Sequence, residues 1–254
     1  MRIFALTVGR NEAHRYLIPM LVHSLEIFDD VFFFDDQSDD ETVPIVAELN
    51  ASGRIRPNST PSFLDDEGAF RAAAFEAMEE DLGLQLGDWI FVLDCDESVV
   101  SEYGADPSAV RSCLEKIVVA AGSQVAVQLT IPEVFGIDDD GVPLVRMDRL
   151  WNTIFAPRLF AYRPGAQFFQ GPGQFGVPCV PTYVMANRNW FGTDLINILH
   201  YGYAEGADQV AKYNRYSMRP GHSNDHVQSI LAPDKVLHRW NGSYNPGMVA
   251  AWRQ

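Results

Sequence analysis

The chain has 254 residues, 47% of them hydrophobic and 12% aromatic, enough to bury the core of one large domain. Its 34 acidic residues against 19 basic ones give a formal net charge of -15 and a pI near 4.7. That balance excludes an extended nucleic-acid surface, which needs clustered lysine and arginine, and it disfavours an anionic membrane face.

Residues 3–8 read as a buried strand, because a short, continuously apolar run suits a strand covered on both faces. Gly9-Arg10-Asn11-Glu12 is a polar turn after it. Residues 14–27 have helical spacing, with Leu17, Met20, Leu21, Leu25 and Phe28 on one stripe. Residues 31–34 form a second strand ending on Asp35-Asp36-Gln37-Ser38-Asp39-Asp40, and residues 42–50 a helix with Gly53 as its stop. A short third strand at 54–56 and a helix at 68–82 follow. Residues 89–93 are a fourth buried strand, and it ends abruptly in Asp94-Cys95-Asp96-Glu97. Next come a helix at 107–121 and a strand at 125–131. Residues 133–181 are irregular and rich in glycine, proline and aromatics, so short strands and long loops are expected there, as in an acceptor-binding region. Residues 204–218 read as a helix stopped by Pro220-Gly221, and the tail from 231 has no assignable pattern.

Cys95, Cys113 and Cys179 are odd in number, far apart and without metal-type spacing, so no disulfide framework is expected. The first strand leads straight into polar residues, unlike a signal peptide, and no apolar run approaches the roughly 18 residues of a membrane span. A cytoplasmic, reducing environment is the expectation. In that setting Asn50-Ala51-Ser52, Asn58-Ser59-Thr60 and Asn241-Gly242-Ser243 have no meaning as glycosylation acceptors.

Alternating strands and helices predict an α/β fold, Rossmann-like, with a mostly parallel central sheet flanked by helices and right-handed crossovers. Both acid-bearing strand ends then point to the same sheet edge, where ligands bind in such folds. Asp94, Asp96 and Glu97 repel one another unless a positive charge stands between them, and a divalent metal carrying a phosphate ligand would supply it. A nucleoside diphosphate needs hydrogen-bond acceptors for its base and ribose, a metal for its phosphates and a cation at the leaving group.

In this order, several segments resemble the family-two glycosyltransferases of glycosyltransferase-A fold. They are Thr7-Val8-Gly9-Arg10-Asn11-Glu12 for the opening strand and its N-E turn, and residues 31–42 for the V-D-D-x-S-x-D-x-T segment. Arg71 stands at a recurrent basic position, and Asp94-Cys95-Asp96 at the D-x-D motif. Ala156-Pro157-Arg158-Leu159-Phe160 resembles an R-L-F segment, and His200-Tyr201-Gly202-Tyr203 with Lys212, Arg215 and Tyr216 an H-Y-G-Y…K…R-Y stretch. The resemblance implies that Thr7, Arg10 and Glu12 lie around the nucleotide. It places Asp36, with Asp35, on the base, most often uracil, and Asp94 and Asp96 on ribose and a divalent metal, Mn²⁺ or Mg²⁺. His200 would complete the metal shell, and Lys212 and Arg215 would neutralise the leaving diphosphate. The implied activity is metal-dependent transfer of a sugar from a nucleotide-diphosphate donor, UDP-sugar favoured, to the hydroxyl of a glycan, protein or small molecule. Residues 1–132 would form the nucleotide-sugar half and 133–254 the acceptor-side half of one compact domain.

One departure concerns the base. The stretch after the R-L-F segment, residues 170–178, holds neither carboxylate nor histidine. An inverting transferase needs a group to take the acceptor proton. Glu133, just past a predicted strand, is the first choice, ahead of Asp138, Asp139, Asp140 and Asp148; lack of an obvious base leaves a retaining mechanism open.

Plainer readings compete. Asp94 to Asp96 could be a strand-end turn, Asp35 to Asp40 a helix-capping loop, Lys212 and Arg215 a solvated helix face, and His200 a structural histidine. Arg71 could pair with Glu67 or Glu76. His222 and His226 are spaced like two ligands on one helix face, but their neighbours argue for a loop. The aromatics Trp151, Phe155, Phe160, Phe168, Phe169 and Trp190 suit a core, with Trp151 or Trp190 able to stack on a sugar. Alternative functions are a haloacid-dehalogenase-like phosphohydrolase with Asp94 as nucleophile, a sugar nucleotidyltransferase and a non-catalytic sugar-nucleotide binding module.

Overall fold

Both faces of β1 (Ile3–Gly9) are covered: Ile3 and Ala5 join one apolar cluster, and Phe4, Leu6 and Val8 another. Burial on both sides is why this run is apolar throughout rather than alternating. The computed structural model describes residues 1–50, 54–57, 62–63, 65–146, 153–169, 179–187, 189–217, 224–233 and 235–240. After β1 come α1 (Leu17–Ile27), β2 (Asp30–Asp35), α2 (Thr42–Leu49), β3 (Ile55–Pro57), α3 (Glu67–Leu82), β4 (Trp89–Asp94) and β5 (Glu97–Ser101). The chain continues through α4 (Pro107–Ala121), β6 (Ala126–Pro132), β7 (Val134–Ile137), β8 (Pro143–Arg146), β9 (Thr153–Ala161), α5 (Thr182–Ala186) and β10 (Phe191–His200). It closes with α6 (Gly206–Ser217), α7 (Asn224–Ile230) and β11 (Leu237–Arg239).

Eight strands form one sheet in the order β3-β2-β1-β4-β9-β6-β10-β5. The first four are parallel, as the alternation of strands and helices predicts. β9 lies antiparallel between β4 and β6, β10 pairs in parallel with β6, and β5 is antiparallel on β10. Helices α1, α2 and α4 cover one face, while α3 and α5 cover the other. The result is an α/β fold with a large central sheet flanked by helices. A second sheet, β11-β8-β7, stands apart from it in pairing.

Cap chemistry sets several boundaries. Asp66 accepts the Ala69 N–H at 3.0 Å to start α3, and Gly83 ends that helix in the left-handed region at φ 54°. Asp106 caps α4 in the same way, with Pro107 at its first position. α1 begins at Leu17 rather than at His14, because residues 13–16 form turns. α2 ends at Asn50, whose N–H reaches the Val46 carbonyl and whose Nδ2 reaches the Val31 carbonyl at 2.7 Å. The expected stops Gly53, Pro220 and Gly221 lie outside the described residues, as do Ala51 and Ser52 and the whole of the segments 58–60 and 241–243.

The stretch expected to be irregular holds a central strand. β9 runs nine residues and pairs on both sides. Pro157 conceals it in the sequence, since proline cannot donate to a ladder. Here the β6–β9 register shifts between Val127 and Gln128, opposite Leu159 and Pro157, and this bulge accommodates the proline. Strands β5 and β10 also escape pattern reading, and α7 begins at Asn224, within the stretch read as a loop. No helix among the described residues is long and apolar enough to cross a membrane.

Candidate active site

The strand order reverses between β1 and β4: β2 and β3 are laid to one side, and β4 to the other. Such a switch opens a crevice at the carboxyl ends of the strands. Register keeps those ends level, with Val8 beside Asp94 and Gly9 beside Asp35. A cleft of about 340 Å³ opens there, lined among others by Arg10, Glu12, Arg15, Asp36, Asp94 and Asp96. Its floor is tight. A Cβ at Gly9 would collide with Cys95 Sγ and lie 3.1 Å from the Phe33 ring. Cys95 is buried, its Sγ 3.2 Å from the Val8 carbonyl, and burial pushes its thiol up. It is a core spacer between the two aspartates, not a nucleophile.

On the β2 side, Asp36 is 3% exposed; its N–H donates to the Gly9 carbonyl at 2.8 Å, and its Oδ2 accepts from the Phe63 N–H at 3.1 Å. Phe63 and Phe70 form an aromatic wall beside it, ring centroids 5.7 Å apart and edge-to-face. Arg71 does not line the cleft. It pairs with Glu67 at 2.9 Å and lies over the Phe63 ring at 5.3 Å, so it braces that wall from behind. Asp35 and Thr7 are also outside the lining. Asp35 Oδ2 accepts from the Ser38 N–H at 3.1 Å, while Asp35 Oδ1 and Thr7 Oγ1 have no hydrogen-bond partner among the described residues. The two turns at this edge are strained: Asn11 and Gln37 have φ of 55° and 63°. Asn11 is held there by Asp39, at 2.7 Å and 2.9 Å, and by Ser38 Oγ at 3.0 Å.

On the β4 side, the antiparallel β5–β10 ladder does the positioning. It sets His200 opposite Glu97, and the Tyr201 N–H donates to the Asp96 carbonyl at 2.7 Å. His200 Nε2 thereby comes to 3.4 Å from Asp96 Oδ2. Helix α6 then returns Lys212, whose Nζ lies 3.4 Å from Asp96 Oδ2, 3.0 Å from His200 Nε2 and 4.4 Å from the centroid of the Tyr203 ring. Tyr203 in turn stacks on Phe135, centroids 4.9 Å apart. Gly202 is glycine because a Cβ there would strike Lys212 Nζ, Asp96 Oδ2 and His200 Nε2 together. Burial opposes ionisation of Asp96, but His200, Lys212 and Arg15 outweigh it and hold the carboxyl well below the usual range.

Glu12 and Arg15 tie the first turn to α6. Arg15 reaches both Glu12 oxygens, at 3.0 Å and 2.9 Å, and pairs with Asp208 at 3.0 Å; Tyr16 donates to Asp208 at 2.9 Å. Burial pushes the Glu12 carboxyl up to about 7, against the pull of Arg15. Arg10 and Arg215 are exposed at the cleft, so Arg10, Arg15, Lys212 and Arg215 face four lining acids. In a chain of net charge -15, that is a local concentration of positive charge.

Asp94 stays accessible, its side chain 36% exposed, with Arg158 at 3.9 Å. Arg158 belongs to buried Glu97, at 2.7 Å, and Glu97 also accepts the Asp94 N–H at 2.9 Å. The three residues expected to hold a divalent ion therefore do not converge. Asp96 and His200 meet, but an ammonium already contacts both, and Asp94 lies toward Arg158. No group of three His, Cys, Asp or Glu side chains among the described residues could hold a metal ion. As placed, these residues do not fit Mn²⁺ or Mg²⁺, because an ammonium already stands against the two atoms that meet, where Mg²⁺ would want ligands at about 2.0–2.1 Å.

Glu133, the expected base, is outside the cleft lining. Its backbone bridges His200 and accepts the Arg146 N–H at 3.1 Å, and after burial its charge is the next cause raising the Tyr203 hydroxyl. Asp138, Asp139 and Asp140 lie in the β7–β8 connection, where Asp138 pairs with Arg239 at 2.6 Å. Trp190 packs in the α3-side core and donates to the Val184 carbonyl at 2.9 Å. Phe160 and Phe168 are core, whereas Phe169 is 52% exposed. Asp148, Trp151, residues 170–178 and His222 lie outside the described residues, as do the side chains of Phe155 and His226. Arg15, Gly202, Arg158 and Phe63 were not singled out as site residues from the sequence. Arg158 and Gly202 sit inside the segments that carry the family resemblance, which was the available signal.

No family model matches the chain, and no curated protein matches it. Solved structures similar to it include S. aureus TarS 1-349 in complex with UDP-GlcNAc, at a TM-score of 0.48 and 13% identity, covering 91% of this chain and 71% of that one. Mannose-6-phosphate isomerase from Helicobacter pylori aligns at 0.33 and 12%, covering 55% of this chain and 52% of that one. Mannose-1-phosphate geranyltransferase from Thermus thermophilus aligns at 0.34 and 16%, covering 90% and 68%. What the chain does is read from the cleft's own residues.

Proposed function

We propose that the chain transfers a glycosyl group from a nucleoside diphosphate sugar to an acceptor hydroxyl. The observation that supports this is the order of charge along the cleft. On one side of β1 the buried carboxylate of Asp36 lines the cleft against an aromatic wall; on the other lie Asp96, His200 and the cations of α6. A nucleobase suits the first, with a carboxylate for its N–H and aromatic faces for its ring. A diphosphate suits Arg10, Arg15, Lys212 and Arg215. The volume of about 340 Å³ lies within the range of small-molecule sites. Asp94, the accessible carboxylate, then faces the sugar.

In this reading the acceptor oxygen attacks the anomeric carbon as its proton passes to a base. The bond from that carbon to the phosphate oxygen breaks, and the nucleoside diphosphate leaves with the electron pair. Fixed cations aimed at the developing negative charge lower this barrier. Residues 1–132 carry the donor's base side, and 133–254 bring the diphosphate-contacting segment and the acceptor side. Uridine nucleotides are the first to test, because the family resemblance favours uracil. A phosphohydrolase with Asp94 as nucleophile fits less well, since Arg158 beside it is engaged by Glu97. The turn at Gly9 to Glu12 likewise lacks the glycine-rich basic loop of a nucleotidyltransferase.

The test is a panel of sugar nucleotides scored by thermal stabilisation and then by release of nucleoside diphosphate. A ligand at about a hundredfold its Kd stabilises by about 2.7 kcal/mol. If no member of the panel raises the Tm or is turned over, the proposal fails.

A further inference from the structure

The Lys212 side chain is 9% exposed, although Arg215 on the same helix faces solvent. Burying an ammonium is costly unless it is paired, and here a carboxylate, an imidazole and an aromatic face meet it. Room for it is built into the chain: Gly202 lacks the one atom that would fill the point where ammonium, carboxylate and imidazole converge. Asp96 Oδ2 and His200 Nε2 are the two atoms a divalent ion would use, and the lysine lies within 3.4 Å of the first and 3.0 Å of the second. A metal ion and an ammonium in direct reach of the same two atoms would repel each other strongly. The third expected ligand, Asp94, lies toward Arg158 instead.

We infer that Lys212 is the resident cation of this cleft, so that the nucleoside diphosphate is held by Lys212, Arg10, Arg15 and Arg215 without a divalent metal. The inference rests on the nucleotide-sugar reading above and deepens it. Asp96 and His200 then act as positioning residues, which hold the ammonium where the diphosphate arrives. Arg10 and Arg215 add paired N–H donors that match phosphate oxygens, while Arg15, whose donors go to Glu12 and Asp208, adds its charge. A cation fixed by the fold needs no capture from solution and no dehydration of a hexaaqua ion.

Calorimetric titration of the full chain with UDP, GDP and ADP separates the possibilities, each run in excess EDTA and again in Mn²⁺. The expected result is one nucleotide that binds in EDTA with a Kd within about threefold of its value in Mn²⁺, a gap of under 1 kcal/mol. Lys212→Met should then raise that Kd about tenfold to a hundredfold, the scale of one hydrogen bond to a charged group. Lys212→Ala should acquire Mn²⁺-assisted binding, because it frees Asp96 and His200. Binding by the wild-type chain only in Mn²⁺ would overturn the inference and leave the nucleotide reading intact. No binding of any nucleotide in either condition would overturn both. The wild-type arms decide the matter even if the Lys212 variants do not fold.

Discussion

Gly202→Ala places one methyl group where Lys212, Asp96 and His200 meet. The added carbon would lie 2.5 Å from Asp96 Oδ2 and 2.7 Å from His200 Nε2, and closer still to Lys212 Nζ. The Gly202 backbone lies outside the left-handed region, so the whole cost is steric. The backbones that carry the short carboxylate and imidazole side chains are anchored by the β5–β10 ladder and by the Tyr201 N–H to the Asp96 carbonyl, so the long lysine is the group that yields first. Overpacking of this kind costs about 1–3 kcal/mol, and in a chain of this size each kcal/mol lowers Tm by about 2–4 °C. Displacing the ammonium also takes a charged donor away from the proposed diphosphate site, a contact worth about 1.5–3 kcal/mol, so nucleotide affinity should fall about tenfold to a hundredfold. A double-mutant cycle with Lys212→Ala, read by thermal denaturation and calorimetry, isolates the clash. If the methyl displaces the ammonium, Gly202→Ala costs about 0.5–3 kcal/mol less once the lysine side chain is gone. Strict additivity in Tm, together with wild-type affinity in Gly202→Ala, would refute the reasoning.

Asp36→Asn keeps an oxygen for the Phe63 N–H, so the fold should hold while nucleotide Kd rises about tenfold or more through loss of the charged acceptor; equal affinity in calorimetry would remove Asp36 from the base site. The Glu12 carboxyl, raised by burial from 4.5 to about 7, binds more protons folded than unfolded across that window. Its contribution to stability is therefore complete below pH 4.5 and lost as pH rises through 7, at up to about 1.36 kcal/mol per pH unit. Glu12→Gln should flatten the Tm profile between those values, and a profile parallel to wild type would contradict the assignment. Asp96 runs the other way: its lowered pKa gives stability that disappears only as pH falls below 3.8, so Asp96→Asn should blunt acid unfolding in that range. Arg158→Met leaves Glu97 buried without its ion-pair partner, at a cost of about 3–5 kcal/mol in chemical denaturation, and adding Glu97→Leu should recover most of it. If the double variant is no more stable than the single one, the pair is not the unit described.

The amino-acid pattern was most legible where one run of sequence builds one element. Residues 3–8, 31–34 and 89–93 are apolar because both sheet faces are covered, and residues 107–121 read as the helix they form. The acids at the ends of β2 and β4 could be placed at one edge because parallel topology alone requires it. Legibility failed where structure depends on partners distant in sequence. β9 carries a proline inside a central strand, which reads as a break until the bulge opposite it is seen. Asp96 and His200 meet only because β5 doubles back against β10, and no local spacing encodes that ladder. The resemblance marks Lys212 as a cation for the diphosphate and its helix reads as a solvated face, but neither reading predicts that the side chain is buried. Its burial follows from Tyr203 and Gly202, which sit about ten residues earlier and act through shape rather than motif.

Asp96 and Lys212 are 116 residues apart, and on a ribosome adding roughly 5–20 residues per second that separation is a delay of about 6–23 s. Through most of it the three acids Asp94, Asp96 and Glu97 at the end of β4 have no α6 beside them, and the edge of β4 waits for β9 to cover it. A bare edge strand is an invitation to pair with another chain. The nascent protein thus passes through a window in which it is both self-repelling at its future ligand site and adhesive along its sheet. Chaperone demand should peak there and end when α6 emerges, and a circular permutant that translates α6 ahead of β4 should shorten the exposure.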